Sequence, residues 1–576
     1  MKEQNKELTG YPSIDKPWLK YYNNPKEIQI ENISVYEYFI NQDVPLDSVA
    51  IDYYGNKILY KKVIEKIGET QNRFLALGLK KGDVVTLCVP TVPEIYYIFF
   101  ALNHIGAIVN LIDPRTNIEF IEKSLNDTNS CILIYIDAAY EKLGKIRTNK
   151  KLKNIFYLPV SSSFPKYMKT IYNFKNLKVY NKLNRFGHKN WIYQSAEFNK
   201  EDYKAEKNLS DDIAAIVYTS GTTEIPKGAL LTNKNIIALT IQNKISDFGW
   251  DKYDRFLEIM PPFIAYGLLC GIVIPFCIGM QVIVIPKFNQ KKFADLIIKY
   301  KPNHIMGVPS MMTDLKKNKK LIKFDLSFLK TVIVGGDKIS IADERSFNSF
   351  LKSHNSYIKL IKGYGMTEMS SNAVFTKDNK CNIEGSVGIP LFGNNIRIID
   401  SKGEELKYGI EGEICLTGPT LIKGYYRNDK LTKQVFINEK KERWIHSGDL
   451  GYINEDGVLF IEGRIKRMII RFDGFKVIPG LIEESICLNE NVKSCAVVGM
   501  KDETHGQGQL PIAWVVLNNK ENKDIIKEEL IQMCKSTLPE YEQPEDLKFI
   551  DELPLTPVGK VDYKTLEKLA ENSLNF

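Results

Sequence analysis

Residues 219–228 of this 576-residue chain read Thr-Ser-Gly-Thr-Thr-Glu-Ile-Pro-Lys-Gly. They place four hydroxyls, two glycines and a lysine in one short loop directly after the apolar run 213–218. Backbone N–H groups, hydroxyl donors and a cation together are the equipment that holds a polyphosphate. A polar surface loop also favours Ser, Thr and Gly, so composition by itself leaves both readings open. The loop is not the nucleotide-triphosphate pattern GxxxxGK[ST]. Lys227 follows Gly221 by six residues, but Pro226 stands at the second glycine and Gly228 at the Ser/Thr.

Residues 218–228, YTSGTTEIPKG, closely resemble the signature YTSGTTGxPKG of the acyl-adenylate-forming (AMP-binding) superfamily, which includes acyl-CoA synthetases, peptide-synthetase adenylation domains and firefly-type luciferases. The departure is Glu224 at a glycine position, an acid that must turn outward or meet Mg2+ to avoid repelling phosphates. Further blocks follow in the family's order over residues 33–566, closest in pattern to AMP-forming acyl-CoA synthetases. Gly82-Asp83, Pro90, Glu94 and Gly106-Ala107 look like early blocks and are read as packing. Gly335-Gly336-Asp337 resembles the family's adenine-edge turn, and Gly363-Tyr364-Gly365-Met366-Thr367-Glu368 matches its GYGxTE element. Ser447-Gly448-Asp449 follows Trp444 as in the TGD element, and Gly463-Arg464-Ile465-Lys466 matches GRxK. Residues 554–563, PLTPVGKVDY, resemble PxTxxGKxxR, with Tyr563 where the arginine usually falls.

The resemblance implies a role for each matching residue. Thr219, Ser220, Gly221, Thr222, Thr223 and Lys227 would hold the phosphates of ATP. Gly336, Tyr364 and Gly365 would form the adenine site, Thr367 would reach the α-phosphate, and Glu368 would give Mg2+ a hard oxygen ligand. Asp449 would accept both ribose hydroxyl protons, with Arg464 as a second ribose or phosphate contact. Lys560 is the lysine of the adenylation step, so Lys560, Thr219 and Glu368 are the residues expected in the chemistry.

The implied reaction is ATP-dependent activation of a carboxylic acid as acyl-AMP, followed by transfer to coenzyme A. Carboxylate attack on phosphorus brings two anions together, so cationic and N–H donors must neutralise the charge that develops. In the family a small C-terminal domain rotates between the two half-reactions, and the pivot matches Lys466. Two alternatives share these motifs: a ligase that loads an acyl carrier protein, and a nucleotide-binding protein without ligase activity. Glu224, Ile264 and Tyr563 raise the second, whereas retention of Lys560, Glu368 and Asp449 argues against it.

The acid itself is addressed by residues 261–267, Pro-Pro-Phe-Ile-Ala-Tyr-Gly. Amino-acid-activating relatives carry Asp where this chain has Ile264. Burying an ammonium there without a counter-charge would cost several kcal/mol. Phe263, Ile264 and Tyr266, with Leu268, Met311 and Met312, are expected to make an apolar acyl wall, suited to a fatty acid ahead of an aryl acid.

Positioning these groups requires a scaffold, and the pattern of the chain supplies one. Short β-branched or aromatic runs at 84–89, 131–136, 213–218, 282–285, 331–334 and 357–361 alternate with amphipathic stretches, which predicts parallel sheets covered on both faces. After residue 383 strand-and-turn pieces predict a hairpin-rich subdomain, with a turn at Asn454-Glu455-Asp456-Gly457 because Asp-Gly accepts positive φ. The expected fold is α/β. A large N-terminal domain of parallel α/β sheets plus a β-rich subdomain, residues 1–465, holds ATP and acid; a small mobile α+β C-terminal domain, residues 466–576, carries Lys560.

Other features set limits. Residues 263–286 carry no charge and could span a bilayer by length, but Pro275 and Gly279 divide them into a helix and a strand, so no transmembrane segment is expected. Residues 142–207, rich in Lys, Asn and Tyr, are read as surface structure. The net charge of +8 suits anionic small ligands and does not require nucleic acid. Nine cysteines without a CxxC pair, and an N-terminus without an apolar core, point to reduced thiols in the cytoplasm. The expected partners are a carboxylic acid, ATP and CoA, with an acyl carrier protein under the alternative. Peripheral membrane contact and oligomeric state stay open.

Overall fold

The computed structural model describes residues 8–23, 27–197, 206–219, 226–378, 380–439, 442–519, 521–556 and 560–572. One sheet has seven strands, in the order Lys189–Asn190, Asn154–Leu158, Ile132–Ile136, Val84–Cys88, Ile108–Leu111, Ile213–Tyr218 and Gly228–Thr232. Its neighbours are parallel except the last pair. Val84–Cys88 and Ile132–Ile136 are buried at every position, as strands covered on both faces must be.

The second sheet has an antiparallel edge strand, Asn56–Leu59, and then a parallel array: Val49–Tyr53, Gln281–Val284, Arg255–Glu258, His304–Gly307, Thr331–Val334 and Ile361–Met366. From Ser371–Phe375 onward it continues antiparallel through Ser386–Pro390, Leu459–Arg464, Glu442–Ile453, Gly412–Thr417 and Asn395–Ile399. The hairpin-rich portion anticipated from the sequence is thus an extension of the parallel sheet. The expected turn is there: Gly457 has φ +83° and donates its N–H to the Asn454 carbonyl at 2.9 Å.

A smaller C-terminal sheet pairs Val492–Lys501 with Gln509–Leu517 antiparallel, and the latter with Asp546–Phe549 parallel. Ile482, Ile486, Ile526 and Leu530 of helices Pro479–Cys487 and Lys523–Thr537 pack on Val497 and Val515. Leu566 and Ala570 of helix Tyr563–Asn572 pack with Ala496, Val498 and Trp514. These strand residues alternate along the chain, so helices cover both faces and the unit has its own core.

Two expectations shift, at 357–361 and within 142–207, whereas the helix-then-strand reading of 263–286 holds. The strand read at 357–361 begins only at Ile361 and runs on to Met366, through Gly363 and Gly365. Tyr357 is 80% exposed, and the Leu360 N–H donates to the Asn348 side chain of helix Ile341–Ser353 instead of a strand partner. The apolar stretch 263–286 is a buried π-helical segment, Tyr266–Val273, continued by helix Ile274–Ile278 and strand Gln281–Val284. Within 142–207 lie a strand, Asn154–Leu158, and a 20-residue helix, Lys166–Arg185.

Glu94 opens helix Pro93–Ile105 and is only 4% exposed. Ser163 donates to its Oε1 at 2.6 Å, while Oε2 has no partner among the described residues. Burial raises its pKa to about 7. A carboxyl with a raised folded pKa stabilises the fold fully below its unfolded value and loses that contribution as pH climbs to the folded one. Glu94→Gln keeps the Ser163 bond and removes the titration. Between pH about 4.5 and 7 the wild type should lose stability relative to Glu94→Gln by on the order of 3 kcal/mol, read as diverging urea midpoints across pH. Parallel pH profiles would show that Glu94 ionises in the fold as easily as in the open chain.

Candidate active site

The phosphate-loop segment closes a hairpin. Tyr218 pairs with Gly228 across strands Ile213–Tyr218 and Gly228–Thr232, and the Thr219 N–H donates to the Lys227 carbonyl at 3.0 Å. Thr219 and half-buried Lys227 therefore stand at the two stems of the loop. Ser220, Gly221, Thr222, Thr223 and Glu224 lie outside the described residues.

Strand Ile361–Met366 brings Tyr364 to the centre of the site. A Cβ on Gly365 would fall 1.8 Å from the Ser371 carbonyl, so only glycine lets the chain fold back this tightly. The turn Thr367–Met369 follows, and a positive φ at Ser370 (57°) reverses the chain. Tyr364, Gly365 and Thr367 all line one cavity. The Glu368 Oε1 accepts a 2.6 Å hydrogen bond from the Tyr425 hydroxyl. That contact leaves a half-buried, hard anionic oxygen set beside the Thr367 position, a donor that suits Mg2+.

Asp449 is presented by a bulge. Strands Gly412–Thr417 and Glu442–Ile453 pair Cys415 with His446 and Glu413 with Leu450, so residues 447–449 are looped out. Gly448 accommodates the loop at φ +71°. The Asp449 carboxylate is 3% exposed. Its Oδ1 lies 2.9 Å from Arg464 Nε, and its Oδ2 accepts the Tyr364 hydroxyl at 2.7 Å. Burial raises the Asp449 pKa, while Arg464, Tyr364 and Lys560 pull it back.

Lys560 comes from the C-terminal unit and lines the same cavity. Its Cε lies 3.9 Å from where a Cβ on Gly336 would stand. Thr556 and Lys560 are tied through Thr556 N–H to the Lys560 carbonyl at 2.7 Å and Lys560 N–H to Thr556 Oγ1 at 3.2 Å. Burial lowers the Lys560 pKa; Asp337 and Asp449 oppose that shift and Arg464 adds to it. Tyr563, at the position of the family's arginine, stacks under the Arg467 guanidinium at 3.5 Å. Arg467 also donates to Glu483 at 2.6 Å. Lys466 lies in the turn Ile465–Arg467 between Arg464 and Arg467.

Besides Lys560 and Gly336, the cavity is lined by Val308, Met306, Tyr266, Ile264, Cys270, Phe248 and Trp250. Phe263 lies outside this wall: it is buried with its ring under Arg115 at 5.6 Å. Met311 and Met312 pack on Gly307 instead, and the methionines of the cavity are Met260, Met306 and Met366. Aromatic contacts join Phe248 to Phe375 at 4.4 Å and Phe248 to Trp250 at 5.5 Å. A surface hollow lined by Asp43, Lys244, Asp247 and Lys252 shares Asn243, Phe248 and Trp250 with the cavity.

Comparison with known proteins decides the family. The model for the AMP-binding enzyme matches residues 41–426, and that for the AMP-binding enzyme C-terminal domain matches residues 481–560. The chain belongs to the AMP-binding enzyme family. It is an AMP-forming acid–CoA ligase, with ATP and CoA as the family's co-substrates. It is 28% identical to a long-chain-fatty-acid–CoA ligase of Bacillus subtilis (strain 168), over 97% of this chain and 99% of that one. A probable 4-coumarate–CoA ligase 1 of Dictyostelium discoideum is 31% identical over 92% of each chain. In fold the ligase resembles ATP-bound MatB from Rhodopseudomonas palustris, with TM-score 0.80 and 24% identity over 94% of this chain and 99% of that one.

One supporting pair escapes the sequence reading. Glu413, read only as part of a strand, accepts the Gly448 N–H with Oε1 at 3.0 Å, and its Oε2 lies 3.0 Å from His446 Nδ1. Against the burial penalty, His446 and Gly448 hold the Glu413 pKa down. The only signal in the sequence is an acidic residue, Glu413, inside an otherwise mostly apolar strand, Gly412–Thr417, and the bulge at 447–449 lies opposite its interior. Glu413→Ala should therefore let the bulge relax. We expect the ATP KM of the ligase to rise about tenfold with a smaller change in kcat, as removal of charge-assisted hydrogen bonds implies. An unchanged KM beside a lowered melting temperature would reduce Glu413 to a structural strut.

Proposed function

We propose that the ligase activates an apolar carboxylic acid without a free α-amine, a fatty acid first, and transfers it to CoA. The observation that carries this reading is the cavity, whose wall is mostly apolar and includes Ile264, Tyr266, Phe248 and Trp250. Ile264 offers an ammonium no counter-charge, and an unpaired buried charge is costly. A hydroxylated aryl acid is the second reading. It is favoured by Asn243 and Asn372, which bring amide groups into the same wall.

In the first half-reaction a carboxylate oxygen attacks the α-phosphorus, and the P–O bond to pyrophosphate breaks. In the second, the CoA thiol loses its proton, attacks the acyl carbon and expels AMP. Thr219, Ser220, Gly221, Thr222, Thr223 and Lys227 hold phosphates, Gly336, Tyr364 and Gly365 adenine, Thr367 the α-phosphate, and Asp449 with Arg464 the ribose. Each Asp449 oxygen keeps a lone pair beyond its Arg464 or Tyr364 partner, which a ribose hydroxyl can use. Lys560 neutralises the charge that builds between α-phosphate and acid, a role supported by its approach to Gly336 and its lowered pKa. Glu368, steadied by Tyr425, would hold Mg2+, which when bound offsets phosphate charge.

The division of the chain after residue 465 and the pivot at Lys466 are supported by two arginines. Arg464 is paired to Asp449 of the large domain, whereas Arg467 is held by Glu483 and Tyr563 of the C-terminal unit. The turn between them is where the two bodies can part.

Two measurements test the reading. Lys560→Ala should slow acid-dependent pyrophosphate exchange by on the order of 100-fold or more, yet leave CoA thioester formation from supplied acyl-AMP largely intact. Loss of both half-reactions together would refute a role confined to adenylation. If acid drives exchange but CoA adds nothing, the acceptor is a carrier protein. Trp250→Ala should open the cavity toward the charged hollow and move the preferred fatty acid to longer chains. Each added buried CH2 is worth about 0.8 kcal/mol, roughly fourfold in kcat/KM. An unmoved chain-length optimum would place the end of the acyl site elsewhere.

A further inference from the structure

Helix Lys166–Arg185 carries apolar residues on two opposite faces. One face is anchored: Leu183 is 1% exposed, the Tyr180 hydroxyl donates to Asp137 at 2.8 Å, and the Tyr180 ring stacks on Tyr157 at 5.4 Å. The opposite face is also apolar. Tyr167, Ile171, Phe174 and Leu177 are 68%, 55%, 76% and 49% exposed, and their spacing of three to four residues aligns them along one side. Single exposed hydrophobics are ordinary, but a contiguous row of four large ones marks a surface that something covers.

The charge on the helix says what. Its 20 residues include six Lys or Arg and no Asp or Glu. Lys175, Lys178, Lys182 and Arg185 are exposed and continue the same outward face beyond the apolar row. Arg147 stacks on Phe186 at the helix C-terminus at 4.5 Å and extends the basic end. An apolar row with a purely basic fringe on a helix about 30 Å long is the pattern that lies in the plane of an anionic membrane surface, rings and aliphatic groups among the acyl chains and ammonium groups at the phosphates. A protein partner could satisfy the apolar row, but it would not by itself call for an acid-free helix. No helix of the described residues is long and apolar enough to cross a bilayer.

The geometry points to this helix as a docking surface for anionic phospholipid bilayers, with Tyr167, Ile171, Phe174 and Leu177 inserting at the interface and Lys178, Lys182 and Arg185 contacting headgroup phosphates. The chain is thereby held against a bilayer without spanning it. This surface is separate from the cavity, so its role stands or falls independently of which acid the ligase activates.

The test is sedimentation of the full chain with sucrose-loaded vesicles, either pure phosphatidylcholine or with about 30% phosphatidylglycerol. The wild type should pellet with the anionic vesicles, and about 0.5 M NaCl should weaken that binding strongly. The double variant Ile171→Asp/Phe174→Asp should bind at least about tenfold more weakly, and Lys178→Glu/Lys182→Glu should lose the preference for anionic lipid. Both variants should keep the wild-type melting temperature and lipid-free AMP release, because every substituted side chain is exposed. Absence of binding to either vesicle overturns the proposal, as does binding that both variants retain. Self-association of the wild type that Ile171→Asp/Phe174→Asp abolishes, without vesicle binding, overturns it in favour of a contact between two copies of the chain.

Discussion

The site is organised around one buried anion, the carboxylate of Asp449. A charged group that is 3% exposed persists only if its neighbours replace the water it lost, and here they come from three directions. Tyr364 arrives from the last parallel strand, Arg464 from the neighbouring antiparallel strand, and Lys560 from the C-terminal unit. Satisfying that carboxylate therefore ties the end of the parallel sheet to the arm that extends it, with the charge of Lys560 from the smaller unit close enough to favour the anion. The same need explains the local oddities: a bulge at residues 447–449 against strand Gly412–Thr417 presents Asp449, which stays paired with Arg464 on its other side, and Glu413 secures the bulge from behind.

The charge balance on the other side of the cavity is equally tight. Lys560 is held in a site that lowers its pKa by burial, with Asp337 and Asp449 as opposing charges. A lysine so placed is poorly hydrated and gains from an incoming phosphate, which is the condition under which a fixed cation contributes most to a reaction between anions. Lys338 with Glu484 and Lys317 with Asn518 add partly exposed polar contacts to the C-terminal unit, and Gly480 packs closely against the Glu462 carbonyl. The unit's two apolar clusters, on either face of its sheet, give it a core of its own.

What the sequence made legible follows physical strength of signal. The buried parallel strands carry continuous β-branched runs, so Val84–Cys88, Ile132–Ile136 and Thr331–Val334 were readable within a residue or two. The strand Ile361–Met366 was read too early because two of its residues are glycines with no strand preference of their own, while Tyr357 and Ile358 look like strand. Helix Lys166–Arg185 was missed because its apolar residues lie on both faces, which erases the single stripe that marks an amphipathic helix. Phe263 was expected in the acyl wall with its neighbours, but its ring turns toward Arg115.

The sequence by itself determined the family and the chemical inventory: a hydroxyl-rich loop with a lysine, the Thr367-Glu368 pair, Asp449, Arg464 and Lys560. Those follow from residue type and local spacing, which a linear reading preserves. Only the tertiary structure decided which of them share one space, that Tyr364 spends its hydroxyl on Asp449, that Tyr563 serves Arg467, and that Phe248 and Trp250 line the same cavity as Lys560. Each of those outcomes depends on side-chain direction and on contacts between residues far apart in the chain, from 85 positions between Tyr364 and Asp449 to 96 between Arg467 and Tyr563. Such contacts are set by how sheets stack and where burial must be compensated, and no local pattern encodes them.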